Sequence, residues 1–288
     1  MAKKRKKNQK QQEKWKQTIQ EEPLVQESEF VDDGNLMTFG GHLEVFRQMV
    51  FRVLGVAGII AIVIFSFKDI TWQVLMAPSE WDFCTYRWIE SAMNAMGFEF
   101  RFDEFYVNLI ATDLSSQFMT HITTAIYLGL LGSSPYILYE LFRFISPALY
   151  ENERRYSVQV AGIIYVLFIL GVLMSYFLLF PISFRFLGTY SVSSKVISNI
   201  TLDSYISTFV SLTLVMGIVF QLPVIAFFLA KMGVITSSML ADYRKQSFIG
   251  IMLVAAIITP PDLMTLILVT IPLYLLYEVS IWVVKRVE

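Results

Sequence analysis

The 288-residue chain is poor in the residue types that build disulfide frameworks, metal centres and charged surfaces. Its single cysteine, Cys84, has no internal partner for a disulfide, and no CxxC motif or Cys/His cluster accompanies it. The only two histidines, His42 and His121, stand far apart in the sequence. No metal site or cofactor is expected from such a set. HExxH, GxSxG and paired-acid patterns are missing as well, so the chain is not expected to be an enzyme. A cleavable leader is also lacking, because the opening "MAKKRKKNQKQQEKWK" is basic and polar with no apolar run behind it until about residue 49. The N-terminus is therefore expected to be retained. Charged residues make up only 16% of the chain, too few for an ordinary soluble domain.

What is abundant is apolar surface: 55% of residues are hydrophobic and 15% aromatic, which places the chain in the membrane class. Residues 1–35 are lysine-rich and then Gln/Glu-rich, with too few apolar groups to bury, and read as a disordered basic cytoplasmic tail ahead of a membrane domain at 36–288. Leu36, Phe39, Leu43, Phe46 and Val50 fall on one face of a helix at the bilayer surface, with Gly40 and Gly41 weakening its first turn. Apolar runs follow at about 49–67, 118–141, 157–180, 205–230, 248–258 and 263–284, and six spans is the economical count. The fifth, Phe248 to Ile258, would rise only about 16 Å as a helix against a hydrocarbon core of roughly 30 Å. Glu278 cuts the sixth, and "TPPD" (Thr259–Asp262) makes the turn between them. Helices five and six are thus both expected to be short, with local membrane thinning around them.

The basic residues set an orientation. Eighteen of the 23 lysines and arginines fall on one side of this topology, from the tail to Arg47 and then Arg52, Arg143, Arg154, Arg155, Lys231, Arg244, Lys245, Lys285 and Arg286. The other side holds Lys68, Arg87, Arg101, Arg185 and Lys195, and its long segment 68–117 reads as a loop rich in acids and aromatics. Because cytoplasmic loops retain positive charge, both termini are expected in the cytoplasm. The charged stretch "FISPALYENERRY" (Phe144–Tyr156) then becomes a cytoplasmic loop.

Six stretches occur together in one order: "HLEVFR" (His42–Arg47), "ATDLSSQF" (Ala111–Phe118), "SPYILYELFRFISPALYENERR" (Ser134–Arg155), "FQLPV" (Phe220–Val224), "TPPD" (Thr259–Asp262) and "IPLYLLYE" (Ile271–Glu278). Over about residues 37–286 the chain resembles the TatC family, the multi-spanning receptor subunit of the twin-arginine protein translocase. The resemblance implies an all-α integral membrane protein of the bacterial inner membrane, with six transmembrane helices in a concave, glove-like arrangement. It also implies partners: twin-arginine signal peptides of folded cargo, single-span TatA and TatB subunits, other TatC copies and the lipid bilayer, with transport driven by the proton-motive force and no nucleic acid. No cofactor is implied.

The same resemblance assigns residues. Glu153 matches the signal-binding glutamate of the first cytoplasmic loop, with Glu151, Phe144 and Pro147 beside it. A carboxylate accepting two parallel N–H bonds distinguishes arginine from lysine, so a twin-arginine site needs fixed acids. By residue type alone, Glu151 and Glu153 equally suit a solvated loop paired with Arg154 and Arg155. Relatives carry the second acid at the position of Val45, whereas this chain has Glu44, one residue and about 100° away on a helix; Glu44 either substitutes for that acid or faces water. Relatives also carry Glu where this chain has Gln221, which either meets a partner helix or ties off backbone groups freed by Pro223. Asp262, Glu278 and Phe118 match partner-contact positions. Their plainer roles are an N-cap for Asp262, a pair with Lys285 for Glu278 and a membrane-interface ring for Phe118.

Overall fold

The computed structural model describes residues 39–145, 157–193, 199–259 and 262–288, and these are mostly helical. The tail at 1–35 and Pro147, Glu151 and Glu153 lie outside the described residues. The chain divides into two compact units at Arg47 and Gln48. In the first, the described part is the start of helix α1 (Phe39–Ser66), which runs through Gly40 and Gly41 rather than beginning after them. Two glycines near a helix end cost roughly 1 kcal/mol each, a cost the later apolar turns outweigh.

The second unit holds everything from Gln48 onward. After α1 come α2 (Lys68–Met76), a 3₁₀ turn at Ala77–Ser79, α3 (Cys84–Ala95) and a two-residue strand β1 (Leu109–Ile110). The segment expected as a plain loop at 68–117 is thus built of short elements. Next are α4 (Ser116–Gly132), α5 (Ser134–Ile145) and α6 (Ser157–Met174). A π-helical turn (Ser175–Leu179) joins α6 to α7 (Phe180–Thr189), and strand β2 (Ile200–Thr201) leads into α8 (Leu202–Val219). Last are α9 (Leu222–Lys231), α10 (Ser237–Asp242), α11 (Arg244–Ile258) and α12 (Leu263–Val287).

Among the described residues, four stretches are long and apolar enough to cross a membrane: Leu43–Ser66, Ala161–Thr189, Leu202–Lys231 and Leu263–Val287. The run expected at 118–141 is split at Ser133 into α4 and α5, because Pro135 has no N–H for the carbonyl of Leu131. The expected short fifth helix is α11, 15 residues long. The expected short sixth helix is not found: α12 continues for 25 residues, straight through Glu278. Glutamate is a good helix former, so it interrupts the hydropathy and not the backbone, and its carboxylate pairs with Arg244 of α11, Nε at 2.8 Å and Nη2 at 3.0 Å. A paired charge is far less costly in an apolar setting than a bare one.

Small residues let these helices touch. At Gly171 of α6 a Cβ would stand 2.5 Å from the carbonyl oxygen of Met216 in α8, and at Gly129 of α4 one would stand 2.7 Å from the Cβ of Ala61 in α1. Such contacts replace the hydrophobic effect, which gives helices no net attraction inside lipid. The core gathers Phe180, Phe184, Tyr205 and Phe209, with Phe180 5.0 Å from both Tyr205 and Phe209 in edge-to-face geometry.

One end of this unit is capped. The hydroxyl of Tyr86 donates to the carbonyl of Pro181 at 2.9 Å, Tyr205 to Leu75 at 2.7 Å and Tyr176 to Val74 at 2.8 Å. Thr85 donates to the carbonyl of Phe177, the group that Pro181, lacking an N–H, cannot serve in an α-helical pattern. Arg185 sits among Tyr86, Phe102 and Phe105, its guanidinium carbon 5.2, 4.4 and 4.6 Å from their ring centres, and donates to the carbonyl of Asp103 at 2.8 Å. Strands β1 and β2 pair in parallel, Leu109 opposite Ile200 and Ile110 opposite Thr201.

Candidate functional site

Helix α5 leads directly into the segment 146–156, so its last two turns are the described scaffold for the charged loop. Tyr136, Glu140 and Arg143 are spaced by four and three and share one face of α5. Glu140 is the only acidic or basic side chain among the buried residues described, at 4% exposure. Its Oε2 accepts from Nη2 of Arg52 in α1 at 2.9 Å, and its Oε1 accepts from the hydroxyl of Tyr136 at 3.0 Å. A buried carboxylate left without a counter-charge would be strongly unfavourable, so this pair fixes α1 against α5. Neither residue was singled out by sequence reasoning. The available signal was one acid on an apolar helix and one arginine inside an apolar run. Phe144 is half-buried one residue before the end of α5, and Phe142 packs 6.2 Å from Phe228 of α9.

In the first unit, Glu44 is exposed and accepts from Nη2 of Arg47 at 2.7 Å, a pair one helical turn long. The structure therefore gives this acid a local cation, whichever of the two readings it serves.

Gln221 lies in the break between α8 and α9. Its own backbone N–H turns to Ile218 at 2.9 Å, which frees the carbonyl of Gly217. The side-chain Nε2 donates to that carbonyl at 3.4 Å and to the carbonyl of Ile164 in α6 at 3.2 Å. This is the backbone-tying geometry. The amide oxygen Oε1 is buried with no hydrogen-bond partner among the described residues, so one acceptor stays open in an apolar setting.

Asp262 caps α12, with Oδ1 accepting from the backbone N–H of Thr265 at 2.8 Å and Oδ2 engaged by the Thr265 hydroxyl. Glu278 pairs with Arg244 and accepts from Tyr274 at 3.1 Å; the expected pair with Lys285 is replaced, because antiparallel α11 brings a guanidinium alongside. Phe118, in the first turn of α4, is exposed. Asp262 and Glu278 stand 16 positions apart on α12, about 24 Å of helix. Asp262 and Glu278 are thus separate stations along one helix rather than parts of one pocket. Among the described residues no group of three or more His, Cys, Asp or Glu side chains is placed to hold a metal.

Comparison with known proteins bears on the whole frame. Residues 41–272 match the family described as Sec-independent protein translocase protein (TatC). A TatC protein of Blattabacterium sp. is 33% identical over 256 residues, covering 88% of this chain and 96% of that protein. The TatCy protein of Bacillus subtilis is 36% identical over 179 residues, covering 62% of this chain and 70% of its own length. A crystal structure of the twin-arginine translocase receptor TatC superposes with a TM-score of 0.67 at 30% identity, covering 85% of this chain and 99% of that one.

Proposed function

This chain belongs to the TatC family of Sec-independent protein translocase components, and from that membership we propose that it is the signal-peptide receptor and assembly platform of a twin-arginine translocase. It is a membrane protein, and the family is a translocase component that works with other Tat subunits. The observation that supports the receptor reading best is the match of nearly the whole frame to a chain itself described as a twin-arginine translocase receptor.

In this reading both termini face the cytoplasm of a bacterium, six helical segments cross the inner membrane in a concave arrangement, and short α11 thins the bilayer beside it. Glu153 accepts a cargo guanidinium in the loop after α5, with Glu151, Phe144 and Pro147 lining the approach and Glu44 as a second acid. Gln221 offers its open amide oxygen to a single-span TatA- or TatB-type helix. Asp262, Glu278 and Phe118 face partners or further TatC copies at the two membrane surfaces. The proton-motive force drives transport, and no catalytic role is assigned to any residue.

The test is site-specific photo-crosslinking from residues 42–47 and 144–155 to a twin-arginine signal peptide, with a twin-lysine peptide as control. Crosslinks that require the arginines support the receptor reading. Their absence, or equal labelling by both peptides, overturns it.

A further inference from the structure

The ion pair between α1 and α5 does more than join two helices. Glu140 holds Arg52 by Nη2 alone, and the structure gives Arg52 no other hydrogen-bond acceptor among the described residues. The side chain of Glu140 is 5% exposed while that of Arg52 is 45% exposed. The buried carboxylate thus orients the guanidinium, and the remaining N–H donors point away from it into accessible space. Arg143 lies three positions beyond Glu140 on the same face of α5, exposed, two residues before the helix ends, and it has no ion-pair partner among the described residues. Both guanidinium charges are close enough to act on the Tyr136 phenol of the same face. Two arginines and one acid leave a net positive charge, beside the last turn of α5 and the middle of α1, whose later turns carry exposed apolar residues.

We propose that Arg52 and Arg143 form a binding site for the phosphate of an anionic phospholipid, with Glu140 as the positioning residue that aims Arg52. A planar guanidinium presents parallel donors to phosphate oxygens, and two of them from different helices bracket one headgroup. A third guanidinium would meet repulsion here, which makes an anion the fitting ligand. The apolar face of α1 below, with exposed Leu54, Ile59 and Ile62, provides the surface along which the acyl chains lie. The inference stands on the membrane setting and the described contacts, independently of signal-peptide binding.

The test uses the full chain in nanodiscs or detergent with defined mixtures of phosphatidylglycerol and phosphatidylcholine, counting retained lipids by native mass spectrometry. The parent should retain phosphatidylglycerol preferentially. Arg143→Gln should cut that preference about fivefold, the scale of one basic residue at a charged surface, and Arg143→Lys should restore most of it. Arg52→Gln should do the same. Should that variant fail to fold because Glu140 loses its partner, Arg143→Gln, at an exposed position, decides alone. Glu140→Gln keeps the shape but loosens the aim of Arg52, and should weaken retention without changing which lipid is preferred. Parent-like retention by a folded Arg143→Gln variant would overturn the proposal. So would displacement of the lipid by millimolar inorganic phosphate, which would make a free anion the ligand.

Discussion

The capped end and the opposite end of the larger unit are held by different chemistry. At the capped end, neutral hydroxyls reach across the sequence to backbone carbonyls, and the cation Arg185 is packed among aromatic rings. At the opposite end charged groups carry much of the long-range contact, Arg52 with Glu140, Arg244 with Glu278, and the Glu288 carboxylate with the backbone N–H of Ser237 at 2.6 Å, alongside the neutral bond from the Tyr277 hydroxyl to the Leu240 carbonyl. Neutral hydrogen bonds in buried settings ignore salt, whereas exposed ion pairs weaken as screening rises. The difference teaches that the two ends should respond differently to their surroundings, one set by shape and satisfied carbonyls, the other in part by the ionic medium.

The largest expected effect concerns which medium each end meets. If the capped end faces outward, half-buried Cys84 at the start of α3 should react with a membrane-impermeant thiol reagent in intact cells. Labelling that appears only after permeabilisation would reverse the assignment of the two ends. Next in size, Arg185→Ala removes three ring contacts and the bond to Asp103, and should destabilise the capped end by on the order of 3 kcal/mol, seen as faster amide exchange at 98–110. Arg185→Lys should recover only part of that. Thr85→Val keeps the shape but leaves the Phe177 carbonyl unpaired, at a cost of about 2 kcal/mol; exchange rates like the parent's would show that carbonyl finds another donor.

Alkali offers a milder probe of the same end. Burial raises the Tyr86 phenol above the usual tyrosine range, with Arg185 opposing. A raised folded value means the stabilisation is complete below about pH 10, where an unfolded tyrosine ionises, and is lost as pH climbs toward the folded value. The cap should therefore hold to about pH 10 and loosen above it, and the late rise in phenolate absorbance should be smaller in Tyr86→Phe by the share of a single tyrosine. The smallest effect belongs to the opposite end: Glu278→Gln, at a pair 35% and 46% exposed, should cost under about 1 kcal/mol, and the cost should vanish at high salt. A salt-insensitive loss there would erase the contrast.

Hydropathy made most of the helical frame readable, because crossing a bilayer demands long apolar runs and leaves little choice of backbone structure. What escaped it depended on partners remote in sequence. Glu278 looked like a helix terminator because Arg244, 34 positions away, cannot be seen beside it in a linear reading. Glu140 looked like one more letter in a motif because its partner lies 88 residues earlier. The split at Ser133 was legible in principle, since Gly132, Ser133, Ser134 and Pro135 make a turn-prone run, but it lay inside an apolar stretch read by hydropathy alone. The elements at 68–117 were hidden for a different reason: Tyr86 packs on Phe102 and Phe105 within the segment, and the cluster is held by groups of α7 and α8 far along the chain. For Asp262 the structure shows the N-cap, and for Gln221 it shows a backbone bond, but to the carbonyls of Gly217 and Ile164 rather than to the group that Pro223 leaves free.

The π-helical turn at Ser175–Leu179 carries one residue more per turn than the helix around it. Its extra residue is absorbed by the wider turn, which keeps α7 nearly in phase with α6. Removing one residue from the regular turns just before it would turn everything downstream by about 100° and shift it by about 1.5 Å. Pro181 would leave Tyr86, Phe184 would leave Tyr205, and Arg185 would swing out of its ring of aromatics, all without one of those residues being altered. Removing one from the π-turn itself would instead leave a regular α-helix whose downstream face stays nearly in place. Insertions and deletions should consequently be tolerated very unevenly along this rod, with a one-residue gap least damaging at Ser175–Leu179.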